Sequence, residues 1–171
     1  MINRGDNLPN PSSVVRYIGY AKMRRDEDDN LLGPAPAAFQ QKPNQDYLSV
    51  TWCEYFAGSA NEQLRCAIEA IRGSNIQVRP KACFCVANTA DLKAVAAEYN
   101  ATTREIYFPE EDNPAHAGIY GIPPDELKLL EKLSSEAWGS FLTKDDADAL
   151  PMPQTGCQES NQVGYPIRHR G

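Results

Sequence analysis

The segment from Asp112 to Leu127, DNPAHAGIYGIPPDEL, carries His116, one of only two histidines in the chain. An imidazole exchanges protons near neutral pH, and a proline-stiffened loop on a scaffold can aim it at a ligand, so His116 is a catalytic and ligand-binding candidate. A turn whose histidine only bonds backbone and orders the loop is the other reading, and both stay open. Ser49 sits between apolar neighbours in DYLSVTW. A serine nucleophile needs a base and an oxyanion hole, and no G-x-S-x-G elbow surrounds it, so the sequence favours a hydrogen bond to a ligand or to strand backbone. Arg16, in SVVRYI, brings a planar fork suited to phosphate or carboxylate; an edge-strand arginine paired with an acid is the equal alternative. Glu54, Glu98 and Glu105 are the carboxylates nearest expected sheet elements, and their spacing marks no acid and base pair.

Cys83 and Cys85 with His116 would make three metal ligands, but C-x-C inside the apolar run ACFCVA reads as core, and no metal is expected. Neither a Walker A loop nor a dinucleotide-binding glycine fingerprint is present.

These residues need a scaffold, and the pattern supplies one. SVVRYIGYAKM is rich in β-branched and aromatic residues, as strands are, and alternation puts Arg16 on the same face as Ile18, at the margin of a core or pocket. DYLSVTW, ACFCVA, REIYFP and AHAGIYGI supply four more strands, the last broken by Gly118 and Gly121. Leu64, Ala67, Ile68 and Ile71 make one buried helical stripe, NTADLKAVAAEYN opens on Asn88 or Thr89 as an N-cap, and PPDELKLLEKLSSEAWGSF is a third helix with Leu127, Leu130, Leu133 and Trp138 on its apolar side. The acidic, proline-rich RRDEDDNLLGPAPAAFQQKPNQ reads as a long surface loop. The expected fold is α+β: one globular domain over residues 13–151, with a mixed or antiparallel sheet of about five strands flanked by three helices. Residues 1–12 read as a flexible segment and 152–171, with His169, as a mobile tail.

The 171 residues suffice for one core without metal or disulfide staples, and 42% apolar with 23% charged residues is globular composition. A net charge of −6 argues against nucleic acid as a partner. No apolar run approaches the ~20 residues of a membrane span, and the polar MINRGDNLPNPSS does not read as a signal peptide, which points to a cytoplasmic protein without a membrane partner. The five cysteines lack a repeated spacing and read as small buried hydrophobes in a reducing compartment.

The order VVRY, AAF, YLSVTW and NPAHAGIYGIP, over residues 13–125, is similar to a set of small uncharacterised bacterial proteins without an established activity. More distantly, an arginine on the first strand, LS opening the second, a middle strand with a short helix, and a strand leading to IP resemble the ADP-ribosyltransferase fold, including its RNA 2'-phosphotransferase branch. In that fold the first-strand basic residue and the serine help hold NAD. The resemblance therefore implies NAD as the cofactor, Arg16 and Ser49 as binding positions, and Glu105 as the positional candidate for a catalytic glutamate. Two functions are expected from the whole. One is a nucleotide- or NAD-type pocket where Arg16, Ser49 and His116 converge within roughly 10 Å. The other is a non-catalytic acidic interaction module, the partner or inhibitor of a basic protein.

Overall fold

In the computed structural model, which describes residues 1–163, the run SVVRYI forms strand β1 (Ser13–Ile18) near the middle of a six-stranded sheet. The other strands of that sheet are β4 (Tyr47–Trp52), β5 (Cys83–Asn88), β6 (Arg104–Tyr107), β7 (His116–Tyr120) and β8 (Ser140–Leu142). They lie in the order β6-β7-β4-β1-β5-β8, antiparallel at every pairing. The expected surface loop is more structured than its composition suggested. It holds a small hairpin of β2 (Met23–Arg25) and β3 (Leu31–Pro34) and a 3₁₀ turn, Pro36–Phe39, that buries Ala38 and Phe39. Two apolar side chains in a polar stretch were enough to anchor it.

Four helices complete this single α+β domain: α1 (Ala60–Gly73), α2 (Thr89–Ala97), α3 (Leu127–Lys132) and α4 (Lys144–Asp148). Ser59 and Glu62 close a capping box on α1, and the Asn88 side chain accepts from Ala90 N at 2.9 Å to start α2. Residues directly opposed in an antiparallel pair share a face. Phe84 opposes Tyr17, Val15 opposes Thr51, and Thr51 opposes His116, so these lie on one face, where Arg72 of α1 sits over the Phe84 ring. Glu105 opposes Ile119 on the other face, where Lys93 of α2 meets it.

The third helix differs in one respect from its expected apolar side. Leu130, Leu133 and Trp138 are buried but Leu127, at the first turn, is exposed. A π-helical turn, Leu133–Ala137, follows α3 and lets Trp138 N donate to Leu133 O at 2.9 Å. That extra residue rotates the indole onto the core, where it stacks on Phe39 with ring centroids 5.1 Å apart.

Both segments expected to be mobile carry contacts that composition did not reveal. Residues 1–12 run beside β6: Gly5 N and Leu8 N donate to Tyr107 O and Glu105 O, each at 2.8 Å, and Tyr107 N donates to Asp6 O at 2.9 Å. After α4 the chain returns to the strand end of β4, where Ala57 N donates to Gln158 O and Ser160 Oγ to Glu54 O. A disulfide joins Cys66 of α1 to Cys157. This corrects the reading of all five cysteines as small buried hydrophobes: Cys66 and Cys157 are bonded and Cys157 is exposed, while Cys53, Cys83 and Cys85 are free and buried. The spacing gave no signal because the two partners are 91 residues apart. The rest of the expected tail, with His169, lies outside the described residues. Among the described residues no helix is long and apolar enough to cross a membrane.

Candidate functional site

β1 pairs with β5 along all six of its residues but with β4 only at Val14 and Val15, opposite Trp52 and Thr51. Beyond those pairs β1 and β4 part. The opening is a cleft of about 610 Å³, with Arg16, Ser49 and His116 among its lining residues. The C-terminal end of α1, the Gln40–Gln45 stretch and the turn around Glu110 and Asn113 form its rim.

Arg16 spans the opening. Its Nη1 donates to Ser49 O at 2.7 Å, and its Nε donates to Ala38 O at 3.2 Å. The guanidinium thus satisfies a strand carbonyl in the region where β1 and β4 are no longer paired. Among the described residues no carboxylate lies within salt-bridge distance of it. Burial pulls its pKa down to about 10, opposed by the nearby Cys85, so the group stays cationic at neutral pH. Among the described residues Nη2 has no hydrogen-bond partner, and Arg16 is one of the residues that line the cleft.

Ser49 and His116 meet on the wall of the cleft, Ser49 Oγ to His116 Nε2 at 2.8 Å. On the far side of the ring, Nδ1 lies 2.8 Å from Phe108 O. A carbonyl can only accept, so Nδ1 carries a proton, and in the neutral ring Nε2 accepts from the serine hydroxyl. Glu110 Oε1 stands 3.7 Å from Nδ1, and the Tyr47 ring meets the imidazole edge-on with centroids 6.0 Å apart. Burial, and then the nearby Glu110, push the Tyr47 phenol up, which keeps it neutral.

The turn that aims His116 is built by Asn113. The Asn113 carbonyl oxygen of the side chain accepts from Ala115 N, its amide donates to Thr51 Oγ1 at 2.8 Å, and His116 N donates to Asn113 O. A buried asparagine before proline therefore ties the loop to β4, the strand that carries Ser49. Gly118, which breaks the strand pattern, has a packing reason: a Cβ there would come within 3.0 Å of the rings of Tyr47 and Tyr120. Gly121 follows at φ +90°, where a Cβ would sit 2.1 Å from Thr102 O, so the strand must end at a glycine.

Arg16, Ser49 and His116, three of the four site residues expected from the sequence, line this cleft. Glu105 is not with them. It does not line the cleft and is buried on the face of the sheet opposite to Ser49 and His116, the face to which Arg16 also alternates before its guanidinium reaches the opening between β1 and β4; its Oε2 is paired with Lys93 Nζ and its Oε1 has no partner among the described residues. Alternation along β7 decides this, because Glu105 opposes Ile119, an odd number of residues from His116. Tyr47, Glu110 and Asn113 were missed. Asn113 was detectable as the Asx of DNP, whereas Glu110 reaches the histidine only through the fold of its loop. Comparison with family models, with curated proteins and with solved structures gives no match.

Proposed function

We propose that the chain binds a small anionic molecule, of nucleotide or NAD type, in the cleft between β1 and β4. The observation that carries this reading is the Arg16 guanidinium in the lining of the cleft, partly buried and cationic, with no carboxylate within salt-bridge distance and no partner at Nη2 among the described residues. A desolvated cation of that kind is stabilised by an anion that can take the remaining donors. Lys22 and Lys42 on the cleft wall add charge of the same sign, and the Tyr47 ring offers a surface for a flat group. A cleft of about 610 Å³ is of ordinary size for a small-molecule site.

An ADP-ribosyltransferase-like relationship is supported by Arg16 and Ser49 lining one cleft, and weakened by strand alternation, which turns Ser49 and His116 to one face of the sheet and Arg16 and Glu105 to the other. The acidic interaction module is the lesser reading. In the acidic loop Asp26 is bonded to Asn30 and Asp28 N, and Asp29 to Tyr20 and Arg25, so part of the charge meant for a basic partner is already engaged. A cytoplasmic location is likewise the weaker expectation, because the Cys66–Cys157 bond suits an oxidising compartment.

Titration calorimetry with NAD, AMP and inorganic phosphate tests the anion reading. Arg16→Gln should weaken binding of the best of the three by at least about tenfold, the equivalent of one charge-assisted hydrogen bond. Binding that is equal in the variant, or absent for all three in the wild type, would sink it.

A further inference from the structure

We propose that Ser49 is a nucleophile and His116 its general base, so that the cleft cleaves carboxylic esters that carry a carboxylate or phosphate for Arg16. The proposal rests on the cleft reading for its preferred substrate, but the nucleophile itself does not depend on which anion binds.

The arrangement has the hydroxyl and the oriented base that such chemistry needs. The hydroxyl and the base are 2.8 Å apart, and Phe108 O fixes the base in the tautomer whose Nε2 lone pair faces the serine. Glu110 Oε1 stands 3.7 Å from Nδ1, so a carboxylate faces the positive charge that builds on the ring as the serine proton moves. Ser49 lines the cleft and is half-buried, within reach of a ligand there, while His116, also in the lining, is buried. A merely structural role explains less. β4 and β7 are already in register over five residue pairs, from Tyr47 with Tyr120 to Thr51 with His116, and need no side-chain tie. The G-x-S-x-G elbow that the sequence lacks is one way of presenting a serine; here the parting of β1 and β4 opens the space beside the strand instead.

In the first step Oγ attacks the ester carbonyl carbon while its proton passes to Nε2. The carbonyl re-forms as the bond to the alcohol oxygen breaks, and Nε2 delivers the proton to that oxygen. Water then gives a proton to Nε2 and attacks the acyl carbon, and the serine oxygen leaves with the proton. The sum is ester plus water to acid plus alcohol, with water as the co-reactant.

Incubating the full chain with p-nitrophenyl acetate, with release of nitrophenolate followed by absorbance and acetylation mapped by peptide mass, tests this directly. The expected result is an acetyl group on Ser49, none at that peptide in Ser49→Ala, and acetylation slowed about 100-fold or more in His116→Gln. Glu110 is exposed, and Glu110→Gln should fold as the wild type does and acetylate several-fold more slowly. Wild-type acetylation no faster than that of Ser49→Ala, or located elsewhere, overturns the proposal. So does a Glu110→Gln rate equal to that of the wild type, which keeps the test decisive if His116→Gln fails to fold. Acetylation of Ser49 together with no anion binding in the calorimetry would remove only the preference for charged esters.

Discussion

Opening the Cys66–Cys157 disulfide with a reductant is expected to lower the unfolding free energy by about 3–4 kcal/mol. The bond closes a loop of 91 residues, and in the chain-entropy account a loop of that order restricts the unfolded ensemble by somewhat more than this. The native segment it retains is held otherwise by a few polar contacts: Ala57 N to Gln158 O, Ser160 N to Tyr55 O, and Tyr55 Oη to Glu159. The segment after Pro151 should therefore loosen first, ahead of the sheet. Urea unfolding with and without dithiothreitol measures the total, and amide hydrogen exchange at residues 157–163 measures the local part. A midpoint unchanged by the reductant, reproduced in Cys157→Ser, would mean that the bond contributes nothing to stability.

The other large effect concerns Trp138. Trp138→Ala should cost about 3–5 kcal/mol, the usual range for emptying a buried aromatic site. The same indole supports the cleft at one remove. It stacks on Phe39, Phe39 belongs to the turn Pro36–Phe39, and the carbonyl of Ala38 in that turn accepts from Arg16 Nε. Loss of the indole should therefore weaken anion binding as well as the fold. Trp138→Phe separates the two contributions. The Trp138 Nε1 is buried without a hydrogen-bond partner, so phenylalanine removes an orphaned donor along with some apolar area, and the cost should fall to about 1 kcal/mol. Urea unfolding of both variants, with calorimetry against phosphate, checks both statements. An alanine variant within 1 kcal/mol of the wild type would show that the site collapses without cost.

The strands were legible because their signal is local. Alternation in SVVRYI placed Arg16 beside Ile18, and the glycines of AHAGIYGI marked a strand that ends early. That Arg16, Ser49 and His116 line one cleft was legible in part, since each sits at a strand or turn position that a sheet can bring together. What was not legible depends on pairing. Whether Glu105 shares a face with His116 is set by the register of β6 on β7, and a one-residue slip would reverse it. The Ser49 hydroxyl gained a base only because β4 and β7 lie side by side, 67 residues apart in sequence from serine to histidine. The β2–β3 hairpin and the Phe39 anchor hid inside an acidic, proline-rich stretch, where composition outweighed two buried side chains.

The strand order has a consequence for the time course of folding. Among neighbours in the large sheet, only β6 and β7 follow one another as strands along the chain. They can close early, with the loop that will hold His116 between them, since a short loop costs little entropy to close. β1 must find partners on β4 and on β5, with Val15 opposite Thr51 on one side and Val86 on the other. Such long-range pairing is slow, and refolding in milliseconds to seconds is the regime for a sheet of this kind. The histidine is thus presented by the first hairpin of the large sheet, its serine arrives with a later strand, and the cleft takes its final shape when Arg16 reaches across from β1. A chain stalled short of that last pairing holds the dyad without its cation.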